Sequence, residues 1–117
     1  MDRYGAWTID SMLSWNYDNP NVEEFRFEAI MSSFDETFRK MFQGPGFSDN
    51  QTANALRIAM KEDLNRMTDE EVQDNPHISS RKTTRWQNYF TEVHKKAFKQ
   101  RFDDALVKLG YESSNDW

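Results

Sequence analysis

Apolar residues recur at helical spacing along three stretches of this chain. The first stripe consists of Phe34, Phe38, Met41 and Phe42, the second of Leu56, Met60, Leu64 and Met67, and the third of Val93, Ala97, Phe98, Phe102, Ala105, Leu106 and Leu109. Spacings of three and four residues place each stripe on one face of an amphipathic α-helix. A shorter helix is predicted within residues 7–17 from Trp7, Met12, Leu13 and Trp15.

Local signals mark where these helices begin and end. Capping-box spacing, in which a Ser or Thr is followed three residues later by Glu or Gln, occurs at Ser33, Ser48 and Thr68. Thr91 predicts the start of the last helix, and Gly110 predicts its end. The other stop signals are Gly44-Pro45-Gly46 and Pro76, the latter opening a loop predicted over residues 76–90.

One segment has the alternation of a β-strand. In residues 22–27, Phe25 and Phe27 fall on one face, with Arg26 between them on the other. The predicted fold class is therefore mainly α with a single short strand. A lone strand leaves its backbone N–H and C=O groups unpaired, so the pattern indicates a fragment, a partner chain or self-association of two copies through this strand.

The length and composition of the chain predict one small folded domain. Its 117 residues can bury a modest core but are few for an enzyme with its own cofactor site. An aromatic content of 15% distinguishes it from a disordered acidic chain. The absence of cysteine excludes disulfides, thiolate metal sites and a cysteine nucleophile. We find no basic, apolar leader and no apolar run of about 18 residues, so a cytoplasmic protein without a membrane partner is expected.

Charge is distributed unevenly along the chain. Residues 77–101 hold seven Lys or Arg against one Glu, a net charge of +6, whereas the whole chain carries −5. Arg81, Lys82 and Arg85 lie close to Trp86 in the predicted loop, which indicates a site for an anion. The alternative is a solvated basic loop with no ligand. Nucleic acid is disfavoured as the anion, since the pI is near 5.0 and no nucleic-acid-binding motif occurs.

Two motifs resemble the C-terminal part of the sulfotransferase family. The segment Asn21-Val22-Glu23-Glu24-Phe25-Arg26-Phe27-Glu28 is similar to the family strand that ends Leu-Arg-Tyr-Glu-Asp, with Phe27 at the Tyr position. The more specific match is Trp86-Gln87-Asn88-Tyr89-Phe90-Thr91, which is similar to Trp-Lys-Asn-His-Phe-Thr and follows Arg81-Lys82 at the start of Arg-Lys-Gly. The resemblance covers residues 7–112 and corresponds to the last third of a family member.

The resemblance implies a nucleotide site. In the family, the Arg-Lys-Gly loop holds the 3′-phosphate of the sulfuryl donor, 3′-phosphoadenosine 5′-phosphosulfate (PAPS), so Arg81 and Lys82 are the expected phosphate ligands. Arginine offers phosphate a planar fork of donors, and lysine adds a point charge. Trp86 is expected to pack beneath the loop, and Phe27 is either an adenine contact or a core residue.

The sequence departs from the family pattern at several positions. Thr83 stands at the Gly position, and the interval from Arg81 to Trp86 is two residues shorter than in Arg-Lys-Gly-x-x-Gly-Asp-Trp. An alternative alignment anchored on Trp86 puts Ser79 at the arginine position and leaves the loop without its main phosphate ligand. The family's dimer is not expected, because its Lys, Val and Glu are replaced by Gln87, Glu92 and Lys96.

Two parts of the family's catalytic site have no counterpart in these residues: the glycine-rich 5′-phosphosulfate loop and the catalytic His. The two histidines, His77 and His94, lie elsewhere in the pattern with no cysteine near them, which also disfavours a metal site. We therefore expect a sulfotransferase-like subdomain over residues 1–112 with a flexible tail at 113–117, inactive unless a second chain supplies the catalytic half. The alternative is a small helical structural or interaction protein without chemistry.

Overall fold

A computed structural model describes residues 3–78 and 80–117, which are mainly α-helical as the apolar periodicity predicts. The α-helices are α1 (Arg3–Ser14), α2 (Phe27–Ser32), α3 (Phe34–Gln43), α4 (Asp49–Ala59), α5 (Asp69–Asp74), α6 (Glu92–Phe102) and α7 (Ala105–Lys108). Short 3₁₀ helices cover Met60–Glu62 and Arg85–Asn88. Within the two described ranges, no helix is long and apolar enough to cross a membrane.

The described residues form two compact units. We call residues 3–23 together with 87–117 the terminal unit, and residues 24–86 the central unit. The terminal unit contains α1, α6 and α7, and the central unit contains α2 to α5.

The terminal unit has a small aromatic core. Its members are the buried Phe98, Phe102 and Ala105, against which Ala6, Ile9, Phe90, Leu106 and Trp117 pack. The Trp117 ring stacks on Phe90 with the ring centroids 6.0 Å apart and meets Phe98 edge-on at 5.8 Å. Trp117 belongs to the segment expected to be a flexible tail, and these ring contacts hold it against the core.

The third apolar stripe is divided between two helices. Between α6 and α7, Asp103 adopts φ 49° and ψ −117°, a backbone conformation that favours glycine. Val93, at the start of the stripe, is 76% exposed, and Ala97 is also exposed. The stripe therefore forms core only from Phe98 onward. The predicted end at Gly110 is confirmed, because this residue has φ 70° at the stop of α7.

The central unit packs α3 against both α2 and α4. Phe34 and Leu56 are buried apolar side chains of this unit, and the Phe34 ring stacks on Phe38 with centroids 4.3 Å apart. Thr37 joins α3 to α2, since its Oγ1 hydroxyl donates to the Ala29 carbonyl at 3.2 Å. The first apolar stripe is thus a helix face, as predicted.

The second apolar stripe continues beyond the end of its helix. α4 ends at Ala59, and after one 3₁₀ turn Asp63 has extended backbone with φ −72° and ψ 111°. Leu64 and Met67 consequently lie in a turn that precedes α5. Asp63 fixes this turn, because its Oδ1 accepts the backbone N–H of Asn65 at 3.0 Å. The bond between the Asp63 side chain and the backbone therefore favours a turn here, although the apolar residues continue at helical spacing.

The predicted strand over residues 22–27 is wrong. Residues 22–26 have no regular secondary structure, and Phe27 is the first residue of α2. No strand occurs among the described residues, so residues 22–27 have no partner for a hydrogen-bonding ladder, and an unpaired strand is not stable. Helix formation instead satisfies the Ile30 N–H, which donates to the Arg26 carbonyl at 3.1 Å. Self-association through a strand at this position loses its structural basis.

Two of the three predicted capping boxes are confirmed. The Ser48 hydroxyl accepts the Gln51 N–H at 3.4 Å, and the reciprocal bonds of both boxes are present at Ser48 and Thr68. Ser33 makes no side-chain cap bond. It follows α2 directly, and its backbone N–H donates to the Ala29 carbonyl at 2.9 Å, so its geometry is that of a helix end.

Candidate functional site

A cleft of about 540 Å³ in the central unit brings together residues from three segments. It is lined by Glu28, Met31 and Ser32 of α2, by Asn65 of the turn before α5, and by Arg81, Lys82, Thr83 and Thr84. We call residues 81–84 the basic loop. Two cations, three hydroxyls and one amide outweigh a single carboxylate. Donors of these types suit an anion such as phosphate, and the volume suits a small molecule.

The turn before α5 fixes one wall of this cleft. Asn65 donates from Nδ2 to the Met31 carbonyl at 2.7 Å, which attaches the turn to the end of α2. Asp63 is 3% exposed, and its carboxylate pairs with Arg66 Nε at 3.4 Å. A buried carboxylate needs such partners, so this turn is rigidly specified.

Arg66 also joins the turn to α3. Its Nη1 lies 2.7 Å from Asp35 Oδ1, and its guanidinium lies over the Phe34 ring at 5.9 Å from the centroid. The hydrogen bond from Arg66 lowers the pKa of the Asp35 carboxyl below its usual value and raises the pKa of Arg66 itself. This pair holds the first turn of α3 beside the wall of the cleft.

Arg81 is bound within the protein by three of its donors. Nε donates to the Leu64 carbonyl at 2.8 Å, Nη2 donates to the Met67 carbonyl at 2.6 Å, and Nη1 bonds Asp69 Oδ1 at 2.6 Å. These contacts tie the basic loop to the turn before α5. Arg81 also lines the cleft, and its three recorded bonds position the loop.

Lys82 lines the same cleft. Its backbone N–H donates to Ser80 Oγ at 2.9 Å, which orients the loop at this residue. The side chain is exposed, and within residues 3–78 and 80–117 no carboxylate forms an ion pair with it. Thr83 and Thr84 follow it along the cleft wall. Lys82 is therefore a cation that an incoming anion can bind without breaking an internal ion pair.

The two aromatic residues predicted for the site are both exposed. Phe27 is 51% exposed at the first position of α2, immediately before the cleft-lining Glu28. Trp86 is 46% exposed in the 3₁₀ helix that follows the basic loop. Neither ring lines the cleft. The alternative arginine position, Ser79, lies outside the described residues.

Three residues of the site carried no signal that sequence reasoning could use. Ser32 and Asn65 line the cleft, and Asp69 bonds Arg81 from the first position of α5. All three are common surface residue types, and each reaches the site only because the turn folds against α2 and the loop. Their roles follow from contacts between residues distant in sequence, which a local motif does not encode.

Four of the seven cations of residues 77–101 belong to the terminal unit, and Arg85 belongs to the central unit without lining its cleft. Lys95, Lys96 and Lys99 line a second cleft, of about 390 Å³, together with Glu92 and Gln100. Lys95 pairs with Glu92 at 3.1 Å, and Lys99 Nζ donates to the Trp117 carbonyl at 3.1 Å and lies 4.9 Å from the centroid of its indole ring. Two of these lysines thus have partners within the terminal unit itself.

One histidine has a structural role at the start of α6. The Nδ1 atom of His94 accepts the Thr91 backbone N–H at 3.2 Å, which completes a capping box at the predicted N-cap. The His94 ring also stacks on Phe90 with centroids 5.7 Å apart. In the described part of the chain, no three His, Cys, Asp or Glu side chains gather as metal ligands.

No family model, curated protein or solved structure matches the chain. The resemblance to sulfotransferases stays a prediction from the motifs of the sequence.

Proposed function

We propose that this chain is a sulfotransferase-like subdomain that binds a phosphate monoester, the 3′-phosphate of PAPS, in the cleft of the central unit. We call this cleft, lined by α2, Asn65 and residues 81–84, the central cleft. A second chain supplies the phosphosulfate loop and the base, so this chain does not transfer sulfuryl groups by itself. The observation that carries the proposal is that one cleft is lined by Thr83, Thr84 and Lys82, and that Lys82 forms no ion pair with a carboxylate of the described residues. Charge-assisted hydrogen bonds from such a set are the strong ones for phosphate.

Within this proposal Arg81 and Lys82 have different roles. Arg81 holds the loop in place through the Leu64 and Met67 carbonyls, and Lys82 provides the main charge for the anion. Glu28 also lines the cleft and opposes an anion, which limits the affinity. Micromolar or weaker binding is therefore expected of the chain alone.

The test is a calorimetric titration of the purified chain with 3′-phosphoadenosine 5′-phosphate, compared with adenosine 5′-phosphate, which lacks the 3′-phosphate. We expect binding of the first nucleotide and weakening by about tenfold or more in Lys82→Ala, because a hydrogen bond to a charged group is lost. Lys61→Ala is the matched control, since Lys61 is an exposed lysine of the same unit that does not line the cleft. Binding that is absent at millimolar nucleotide, or unaffected by Lys82→Ala, contradicts the proposal.

A second candidate function is a helical interaction protein without chemistry. The observation that favours it is the internal use of Arg81, whose three bonds serve packing rather than a ligand. This function predicts that neither nucleotide binds. It also predicts that substitutions of Arg81 change the stability of the chain, and that no nucleotide binding is measured before or after the substitution.

A further inference from the structure

The three bonds of Arg81 differ in how readily they can be exchanged. Two go to the backbone carbonyls of Leu64 and Met67, at 2.8 and 2.6 Å, and these acceptors are fixed by the fold of the turn. The third goes to the side chain of Asp69 at 2.6 Å. A side chain can rotate away while the turn stays in place, so the Asp69 bond is the exchangeable one.

Asp69 is poorly shielded from water. Its side chain is 85% exposed, against 33% for Arg81. An ion pair this exposed contributes little to stability, because water competes well for both charges. In the described residues the Asp69 carboxylate has no other bond that would hold it against Arg81. Displacing it therefore costs little.

Arg81 is also one of the residues that line the cleft containing Lys82. Carboxylate and phosphate oxygens bind the same guanidinium donors with the same fork geometry. A phosphate monoester in this cleft thus meets Lys82, which has no ion pair in the described part of the chain, and Arg81, whose Nη1 is bonded to Asp69. After Asp69 leaves, the two carbonyl bonds still hold the guanidinium in position.

We infer that Asp69 is a built-in competitor of the anion: it occupies Arg81 Nη1 in the free protein and is displaced when a phosphate monoester binds beside Lys82. The inference rests on the proposed function and adds a means of control to it. The competitor reduces affinity for all anions, and a dianionic phosphate displaces it better than a monoanion does. The site would accordingly discriminate against weakly charged anions.

The test is the affinity of Asp69→Asn for 3′-phosphoadenosine 5′-phosphate at constant ionic strength. We expect binding about two- to fivefold tighter than in the unaltered chain, the range that corresponds to loss of an exposed ion pair. Glu70→Gln is the matched control. It removes the same charge from the neighbouring exposed position of α5, and Glu70 does not bond Arg81 in the described residues.

A second measurement covers the case in which Asp69→Asn disturbs α5. In the unaltered chain, labelled with ¹³C, the side-chain carboxyl resonance of Asp69 should shift in step with nucleotide occupancy, while that of Glu70 should not. Tighter binding in Asp69→Asn than in Glu70→Gln, or this selective shift, supports the inference.

The outcomes separate the inference from the proposed function. If the nucleotide binds in a Lys82-dependent way, but Asp69→Asn binds no better than Glu70→Gln and the Asp69 resonance is unmoved, Asp69 is not a competitor and the proposed function stands. If neither the unaltered chain nor Asp69→Asn binds the nucleotide, both are wrong.

Discussion

Arg81 and Lys82 are neighbours of like charge, yet the structure gives them different tasks. From the sequence both are expected phosphate ligands, with the arginine as the main one. In the fold, Arg81 is bound by Leu64, Met67 and Asp69, and Lys82 forms no ion pair among the described residues. The difference could not be predicted, because two of the three acceptors are backbone carbonyls, which carry no sequence signature.

At this scale we predict that Arg81→Lys destabilises the chain while keeping its charge. A lysine ammonium cannot reach three acceptors in the fork geometry of a guanidinium, so the free energy of unfolding should fall by about 1–3 kcal/mol. Urea unfolding followed by circular dichroism measures this change. Lys82→Ala is the control and should alter stability by less than about 0.5 kcal/mol. Equal effects of the two substitutions would contradict the positioning role of Arg81.

Elements whose signals are local were predicted well from the sequence. The capping boxes at Ser48 and Thr68 appear where their residue spacing places them. Elements that depend on contact with another segment of the chain were not predicted well. The alternation in residues 22–27 is that of a strand, but the described residues contain no strand, and here residues 22–26 are irregular and Phe27 begins α2. Ser33 has the sequence of a cap, but its position directly after α2 overrides it.

This contrast predicts unequal effects of two similar substitutions. Thr68→Ala should lower the free energy of unfolding by about 1 kcal/mol, because the Glu71 N–H loses its acceptor at the start of α5. Ser33→Ala should change it by less than about 0.5 kcal/mol, since Ser33 makes no side-chain cap bond. Chemical unfolding and amide hydrogen exchange of α5 measure both. A larger cost for Ser33→Ala than for Thr68→Ala would show that the cap assignments are wrong.

On the scale of the whole molecule, the helical class was predictable and the arrangement was not. Apolar periodicity identifies a helix face, but it does not show that residues 24–86 and the remaining residues form separate units. The same limit applies to the cleft, whose walls come from α2, Asn65 and the basic loop. Only the loop was visible as a site in the sequence, because only it concentrates charge.

The stability of the molecule should depend on pH through paired carboxylates. The bond from Arg66 lowers the pKa of Asp35, and the Thr68 backbone N–H lowers the pKa of Glu71. A carboxyl whose pKa is lower in the folded state stabilises the fold above its unfolded pKa, near 4, and this contribution is lost as the pH falls through the folded pKa. The unfolding midpoint should therefore drop between about pH 5 and pH 2.

Asp35→Asn should make that drop smaller, because the variant has one fewer linked carboxyl. Asp74→Asn is the control, an exposed aspartate at the end of α5 that forms no ion pair with Arg66 in the described residues. Thermal unfolding at pH 6 and pH 3 gives the comparison. An unchanged pH dependence in Asp35→Asn would exclude the Asp35–Arg66 pair as a source of acid sensitivity.

The most direct test of the account is to map where 3′-phosphoadenosine 5′-phosphate binds by titrating the ¹⁵N-labelled chain and following its backbone amides. We predict saturable shifts at Lys82, Thr83, Thr84 and Asn65, which surround the central cleft, and none of comparable size at Lys95 to Lys99. Shifts confined to Lys95 to Lys99, or no saturable shift at millimolar nucleotide, would contradict a phosphate site in the central unit.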